Sequence, residues 1–135
     1  MRRKLLVLAA VASAVLSPLA LAGLTQPQPV VVSLVGDGSG SANGNMVTAR
    51  FTANKVEFIG CGLRVFDGGD GAPPTLFIFC QASDAAGNLA FCSTESTAHL
   101  DALKGIADGS FITFSFNAEG VCQQIGNSTQ SFYIR

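Results

Sequence analysis

Residues 61–80 read CGLRVFDGGDGAPPTLFIFC, two apolar runs on either side of a loop that contains three glycines and two prolines. Antiparallel pairing of the runs about the middle of the loop places three apolar pairs on one face: Cys61 with Cys80, Leu63 with Ile78, and Val65 with Leu76. A slip of one residue would turn the whole set to solvent. The stretch therefore predicts a β-hairpin with this register.

Short apolar or alternating runs, separated by turn residues, cover the rest of the chain. A period of two and bounding glycines are typical of short strands. The predicted strands are residues 29–35, 46–52, 55–66, 75–82, 110–116, 121–125 and 130–135. Residues 36–45, with four glycines, are predicted to be a loop.

Three local features refine these elements. The apolar phase changes at Gly60, which predicts a β-bulge near that residue. Residues 75–82 are almost continuously apolar, which is typical of a central strand buried on both faces. Thr97 is expected to cap a short α-helix over about residues 98–104, with Gly105 as its end.

Seven to eight short strands, one short helix and no crossover helices predict an all-β protein, an antiparallel two-layer β-sandwich or β-roll. The core is predicted from the apolar face of each run. Its expected members are Val47, Phe51, Phe58, Leu63, Val65, Leu76, Ile78, Leu100, Leu103, Ile112, Phe114, Phe116, Phe132 and Ile134.

Residues 1–22 have the pattern of a signal peptide: a basic start, an apolar stretch and the small-residue pattern Ala-Leu-Ala. Cleavage is predicted between Ala22 and Gly23, which leaves residues 23–135 as a single β-rich domain. The apolar stretch is short for a membrane span, so no membrane insertion of the mature chain is expected. The predicted location is exported, in the bacterial periplasm or outside the cell.

Four cysteines in an exported domain predict two disulfides, and the absence of a C-x-x-C pair disfavours zinc. The hairpin register favours Cys61 with Cys80, which leaves Cys92 with Cys122. A second turn at residues 84–88 would instead place Cys80 opposite Cys92. The pairing of Cys80 with Cys92 and of Cys61 with Cys122 therefore stays open.

Loss of Arg2, Arg3 and Lys4 with the signal leaves five basic and nine acidic residues, a net charge of −4. Nucleic-acid binders concentrate Lys and Arg on one face, and anionic membranes attract the same residues. The scattered charges of this chain therefore predict neither partner.

Candidate chemistry is sparse. His99 is the only histidine and stands two residues before Asp101, a spacing that puts the two on different faces of a helix. Asp67 and Asp70, on a glycine-rich loop, are a weak calcium candidate without the ligand number of an EF-hand. The sequon at residues 127–129 is expected to be inert in a bacterial protein. We predict no catalytic residue, no metal and no cofactor.

The order of elements from Cys80 onwards resembles that of a group of small exported bacterial β proteins of uncharacterised function. The residues that carry the resemblance are residues 80–88 (CQASDAAGN), Cys92, a short helix, residues 109–114 (GSFITF), residues 120–122 (GVC) and residues 131–133 (SFY). These are turn and strand features. The resemblance therefore implies a shared fold over residues 80–135 and no site.

Three classes of function remain open on these grounds. The first is a non-catalytic module that binds a protein or a glycan through polar loops at residues 37–45, 67–74 and 123–130, because loops on a rigid sandwich carry binding sites. The second is a surface or fimbria-like assembly subunit that adds strands edge to edge. The third, and least supported, is a small secreted hydrolase. The oligomeric state is left open.

Overall fold

The computed structural model describes residues 23–134. The predicted signal peptide, with Ala22 of its cleavage site, lies outside the described residues. Within residues 23–134, no helix combines the length and the apolar character that a membrane crossing requires.

Seven strands and two short α-helices make up the domain. The strands are β1 (Val31–Leu34), β2 (Gly40–Asn45), β3 (Phe58–Phe66), β4 (Thr75–Ser83), β5 (Leu89–Thr94), β6 (Phe111–Phe116) and β7 (Cys122–Ser128). The helices are α1 (Met46–Phe51) and α2 (Leu100–Lys104), and 3₁₀ turns cover Thr97–His99 and Ser131–Tyr133. All ladders are antiparallel, in a four-stranded sheet of order β1-β2-β6-β7 and a three-stranded sheet of order β3-β4-β5. The all-β, two-sheet prediction is confirmed.

The β3–β4 hairpin has the predicted register, with Cys61 opposite Cys80 and Leu63 opposite Ile78. The ladder runs without a shift from Phe58 to Phe66, so the bulge predicted near Gly60 is wrong. The apolar phase changes there because Phe58 belongs to the outer face of the sheet, whereas Ile59 belongs to the buried face.

Both favoured disulfides form, Cys61 with Cys80 and Cys92 with Cys122. The first joins neighbouring strands of one sheet. The second joins β5 to β7 and so ties the two sheets together, next to a parallel bridge between Ser93 and Val121. Each closed loop is expected to stabilise the fold by about 3 kcal/mol.

One apolar cluster between the sheets forms the core. Among its predicted members, Ile78, Ile112, Phe114 and Phe116 are buried. The predicted core lacks several observed members, namely Val30, Ala42, Ala49, Ile59, Ala82, Ala90 and Ile125.

Five predicted core residues are exposed instead: Phe51, Phe58, Leu63, Val65 and Ile134. Leu63 and Val65 lie on the inward face but at the tip of the β3–β4 hairpin, at the margin of the core. Phe58 lies on the outer face of its sheet. Leu63 and Val65 keep the predicted alternation of their strand, but local sequence does not show where the opposite sheet ends.

Three predicted elements differ from the structure. Residues 40–45, expected in a loop, form the strand β2 between β1 and β6. Residues 46–52, expected to be a strand, contain α1, because the Asn45 side chain accepts a hydrogen bond from Thr48 N and starts a helix there. Residues 130–135, expected to be a strand, contain the 3₁₀ turn Ser131–Tyr133.

The predicted helix over about residues 98–104 is present as the 3₁₀ turn followed by α2, which ends at Gly105. Its cap is Ser96 rather than Thr97, because the Ser96 hydroxyl accepts a hydrogen bond from Ala98 N. The return strand predicted at residues 121–125 extends as β7 to Ser128, with a register irregularity between Ser115 and Phe116 on β6.

Candidate functional site

The outer face of the three-stranded sheet carries an unusual number of phenylalanines. Along β4, Ile78, Cys80 and Ala82 point into the core and are fully buried, so the alternate residues lie on the outside. The cross-strand register brings side chains from all three strands together there. We call this surface the phenylalanine face and define it by Phe58, Phe66, Phe77, Phe79, Leu89 and Phe91, with Arg64 and Gln81 among them.

Ring contacts order the middle of this face. The Phe77 and Phe79 rings stack with their centroids 5.8 Å apart, and Phe66 meets Phe77 edge to face at 6.4 Å. The Arg64 guanidinium carbon lies 5.2 Å from the Phe79 ring centroid, within cation–π distance. The rings of Phe66, Phe77 and Phe79 and the Arg64 guanidinium are therefore held by contacts within the chain.

A glycine on the neighbouring strand makes room for the central ring. Gly62 lies directly opposite Phe79. A Cβ added to Gly62 would lie 2.6 Å from Phe79 Cζ, so the ring occupies the space above the glycine. Glycine at this position lets an aromatic side chain cover the neighbouring backbone.

Solvent reaches a large part of this apolar surface. Leu89 is 65% exposed, Phe91 54% and Phe66 53%. A shallow depression of about 340 Å³ lies among Arg64, Phe77, Phe79, Gln81 and Phe91. Single exposed apolar residues need no explanation, but a contiguous apolar patch with a polar rim is typical of a protein-binding surface.

The face carries one charge. Arg64 is the only ionisable residue among the outward positions of β3, β4 and β5. Across residues 23–134 the one ion pair joins Asp101 to Lys104, on the exposed side of α2. Arg64 therefore has no carboxylate partner within the described part of the chain.

A larger groove lies beside α1, around the edge of the same sheet. Its volume is about 570 Å³, and its apolar lining includes Met46, Val47 and Ile59. Phe58 lines this groove and also belongs to the phenylalanine face, so the two surfaces are continuous. The rim carries two cations and two anions, Arg50, Lys55, Glu57 and Asp108, which give it no net charge preference.

Of the three loops predicted to bind a partner, only one is a loop in the structure. Residues 67–74 are a loop, at the tip of the β3–β4 hairpin. Most of residues 37–45 and of residues 123–130 belong instead to β2 and β7. Two of the three predicted binding loops are therefore wrong, because ladder hydrogen bonds hold their backbones.

The other candidate residues are dispersed. Asp67 accepts a hydrogen bond from Gly69 N, and Asp70 adopts a positive φ of 44° in the same exposed loop. His99 ends the 3₁₀ turn and is half-buried. Among residues 23–134, the one cluster of three metal-ligand side chains is Cys80, Cys92 and Cys122, whose sulfurs are all in disulfides. Asp67 and Asp70 stay the weak calcium candidate predicted from the sequence, and no contact among the described residues bears on that candidate.

Sequence reasoning missed the phenylalanine face although its signal was present. The hairpin register that paired Cys61 with Cys80 also places Arg64 opposite Phe77 and Phe66 opposite Thr75 on the other side of the sheet. Polar residues at Arg64, Thr75 and Gln81 indicate that this other side meets water. Taking residues 75–82 as buried on both faces hid that inference.

Comparisons with protein-family models, with curated proteins and with solved structures found no match to this chain.

Proposed function

We propose that the protein is a non-catalytic interaction module that binds a polypeptide partner through the phenylalanine face. The observation that carries the proposal is the depression on the outer face that Phe77, Phe79 and Phe91 line together with the unpaired Arg64. Aromatic residues and arginine are enriched in the binding centres of protein interfaces. Burial of the exposed rings would supply the affinity, and Arg64 the specificity.

The charge of the face defines the chemistry of the partner. Burial of an unpaired guanidinium is costly, so a partner must bring a carboxylate to Arg64 as well as apolar side chains. A second copy packed face to face would bring another Arg64 and no acidic residue from its own face. We therefore infer a different polypeptide with an acidic residue set in an apolar surface.

A glycan fits this face less well. Sugar rings bind to aromatic rings whose flat faces are free. Here the Phe77 and Phe79 rings stack on each other, and Arg64 covers the Phe79 ring. These contacts occupy faces of the two central rings, and the edges and aliphatic surface around them suit apolar side chains.

The size of the face sets the expected strength of the complex. Two strands of nine residues and one of six, about 4.8 Å apart, cover about 400 Å², from the usual strand spacing and rise. A standard interface buries about 800 Å² on each partner. The contact is therefore proposed to be transient, or to extend onto the groove beside α1, which Phe58 also lines.

The compartment supports this function. Two disulfides indicate an oxidising, non-cytoplasmic environment. The finer location that we propose, the bacterial periplasm or the cell exterior, depends on the signal pattern in residues 1–22. A partner in that space would meet the folded domain.

Site-specific photo-crosslinking in the producing cells tests the proposal. The photoreactive residue p-benzoylphenylalanine replaces Phe91 on the face or, as a matched control, Val31, which is 49% exposed on β1 of the other sheet. We expect a protein adduct from position 91 alone, and a loss of about tenfold or more when Arg64→Glu is added, as for a buried charge pair. The adducted peptide of the partner should contain Asp or Glu.

Other results would point elsewhere. An adduct between two copies of this chain would indicate self-assembly, and equal adducts from both positions would indicate nonspecific contact. No adduct at position 91, combined with a hit on a glycan array that Phe91→Ser abolishes, would replace the polypeptide with a glycan. Each of these results contradicts the proposal.

One observation favours assembly as a second candidate. Strand β3 is nine residues long and forms an edge of its sheet, with no strand on its other side among the described residues. Long apolar edge strands can pair with another chain. Sedimentation analysis of residues 23–135 over a range of concentrations would show polymers in that case and a persistent monomer otherwise.

A further inference from the structure

The two disulfides are neighbours in space. Cys61 lies opposite Cys80 on β3 and β4, and Cys80 lies opposite Cys92 on β4 and β5, so three cysteines form one row across the inner face of the sheet. Cys122 reaches the row from β7 of the other sheet. The Sγ atoms of Cys80, Cys92 and Cys122 all lie within 4.8 Å of one another.

Access to the four sulfurs is unequal. Cys80 and Cys92 are fully buried and Cys122 is 3% exposed, whereas Cys61 is half-buried on an edge strand. An external thiolate must reach a disulfide sulfur to attack it. Attack from solvent is therefore directed to Cys61, and the thiolate that leaves is buried Cys80.

We propose that these cysteines form an exchange relay, in which a thiol that attacks Cys61 opens the disulfide between the sheets through Cys80. In the first step the thiolate RS⁻ bonds to Cys61 Sγ, the bond from Cys61 to Cys80 breaks, and its electron pair stays on Cys80. In the second step the Cys80 thiolate attacks Cys92 Sγ, a bond from Cys80 to Cys92 forms, and Cys122 leaves as a thiolate.

The steps balance without a further oxidant or reductant. One thiolate enters and one thiolate, that of Cys122, is released, and the number of disulfide bonds stays at two. Put as bonds, the two native disulfides are replaced by RS–Cys61 and Cys80–Cys92. A dithiol could then reduce the mixed disulfide RS–Cys61: it frees the Cys61 thiol and RSH and is itself oxidised to a disulfide.

The exchange changes which parts of the fold the protein's disulfides join. In the native pairing Cys92–Cys122 ties the two sheets together. After exchange both cysteines of the remaining protein disulfide, Cys80 and Cys92, lie in the three-stranded sheet. A thiol at an accessible edge therefore unlocks the sheets from each other, independently of whether the phenylalanine face binds a partner.

Peptide mapping after limited reaction tests the relay. The folded protein, residues 23–135, is treated with one equivalent of glutathione at neutral pH, quenched with acid, alkylated and mapped by mass spectrometry. We expect glutathione on Cys61, a bond from Cys80 to Cys92, and alkylation of the released Cys122. Alkylated Cys80 with an intact Cys92–Cys122 bond would overturn the relay, as would opening of Cys92–Cys122 while Cys61–Cys80 is intact.

Two variants separate the relay from direct attack on the buried disulfide. Cys61→Ser leaves Cys80 as a free thiol beside Cys92–Cys122, so we expect alkylation of Cys122 without any added thiol. The double variant with Cys61→Ser and Cys80→Ser lacks the relay thiol, so we expect alkylation of Cys122 to fall at least tenfold. Equal alkylation in both variants would show that local opening, and not Cys80, exposes the second disulfide.

Discussion

Phe79 lies across the backbone of Gly62, and its ring fills the space where a side chain of residue 62 would begin. Gly60, two residues earlier on the same strand and the same face, has no atom within 4 Å of an added Cβ. The two glycines share strand, face and chemistry but differ in what covers them. They are a matched pair for testing how the phenylalanine face is held.

We expect Gly62→Ala to be less stable than Gly60→Ala by about 1 kcal/mol, because only the first forces an aromatic ring off its packed position. Gly60→Ala should leave stability unchanged or raise it, since alanine loses less backbone entropy in a strand than glycine. Urea denaturation of the two variants measures the difference. Equal midpoints would mean that the Phe79 ring moves aside without cost.

The β3–β4 hairpin could be predicted from sequence because two independent signals agree there. The middle of the loop at residues 67–74 and the apolar positions of the flanking runs specify the same register, with Cys61 opposite Cys80. The register favours the Cys61–Cys80 disulfide but does not decide it, because Cys80 also lies opposite Cys92. Local sequence contains both signals, so no knowledge of the rest of the fold is needed.

Strand β2 could not be predicted because its glycines are required by close packing against residues that are distant in the sequence or lie on other strands. An added Cβ on Gly40 would lie 2.7 Å from Ser33 O and 2.8 Å from Phe116 Cζ, and one on Gly44 would lie 2.9 Å from Val30 Cα. Close packing therefore explains these glycines, not a turn. From the sequence alone, four glycines in ten residues are typical of a loop.

The start of α1 also depends on a contact that is distant in the sequence, here made by a single residue. Asn45 is fully buried; its Oδ1 accepts hydrogen bonds from Thr48 N and Thr48 Oγ1, and its Nδ2 donates to Gly109 O at 2.6 Å. The bond to Gly109 spans 64 residues. Alternation in residues 46–52 favours a strand, and only this tertiary contact explains why the chain turns into a helix instead.

Asn45→Ala is expected to cost about 2–3 kcal/mol of stability, because it removes the helix cap and leaves buried polar groups unsatisfied. Asn45→Asp keeps the cap but loses the donor to Gly109 O, so it should recover stability as the pH falls and its carboxyl group takes up a proton. Urea denaturation over a pH series measures both effects. Asn54→Ala, at an exposed residue with similar local hydrogen bonds, is the control and should change stability by less than about 1 kcal/mol.

Two phenylalanines should separate folding from binding. Phe114 is 1% exposed in the core, and Phe114→Ala is expected to cost about 3–5 kcal/mol. Phe91 lies on the phenylalanine face, and Phe91→Ser is expected to cost less than about 1 kcal/mol. Thermal or urea unfolding checks both values. A large loss of stability in Phe91→Ser would mean that the face is needed for folding and is not free for a partner.

The turn between β4 and β5 should make a small, pH-dependent contribution to stability. The Asp84 carboxylate accepts hydrogen bonds from Asn88 Nδ2 and from the backbone N–H groups of Asn88 and Ala86. These bonds, with the Asn88 side chain as the largest cause, hold the pKa of Asp84 below its ordinary value. Because the folded-state pKa is lowered, the stabilisation is fully present above the ordinary aspartate pKa. It is lost as the pH falls through the lowered pKa of the folded state.

NMR titration of the Asp84 side-chain carbon measures this pKa directly. We expect Asn88→Ala to raise the pKa of Asp84 toward the ordinary value, because the variant removes the side-chain donor and keeps the backbone donors. Ser39→Ala is the matched control: it removes the hydroxyl that lowers the pKa of Asp37 in another turn and should leave Asp84 unchanged. If Asp84 titrates at the same pH with and without the Asn88 side chain, the backbone donors alone account for the lowered pKa.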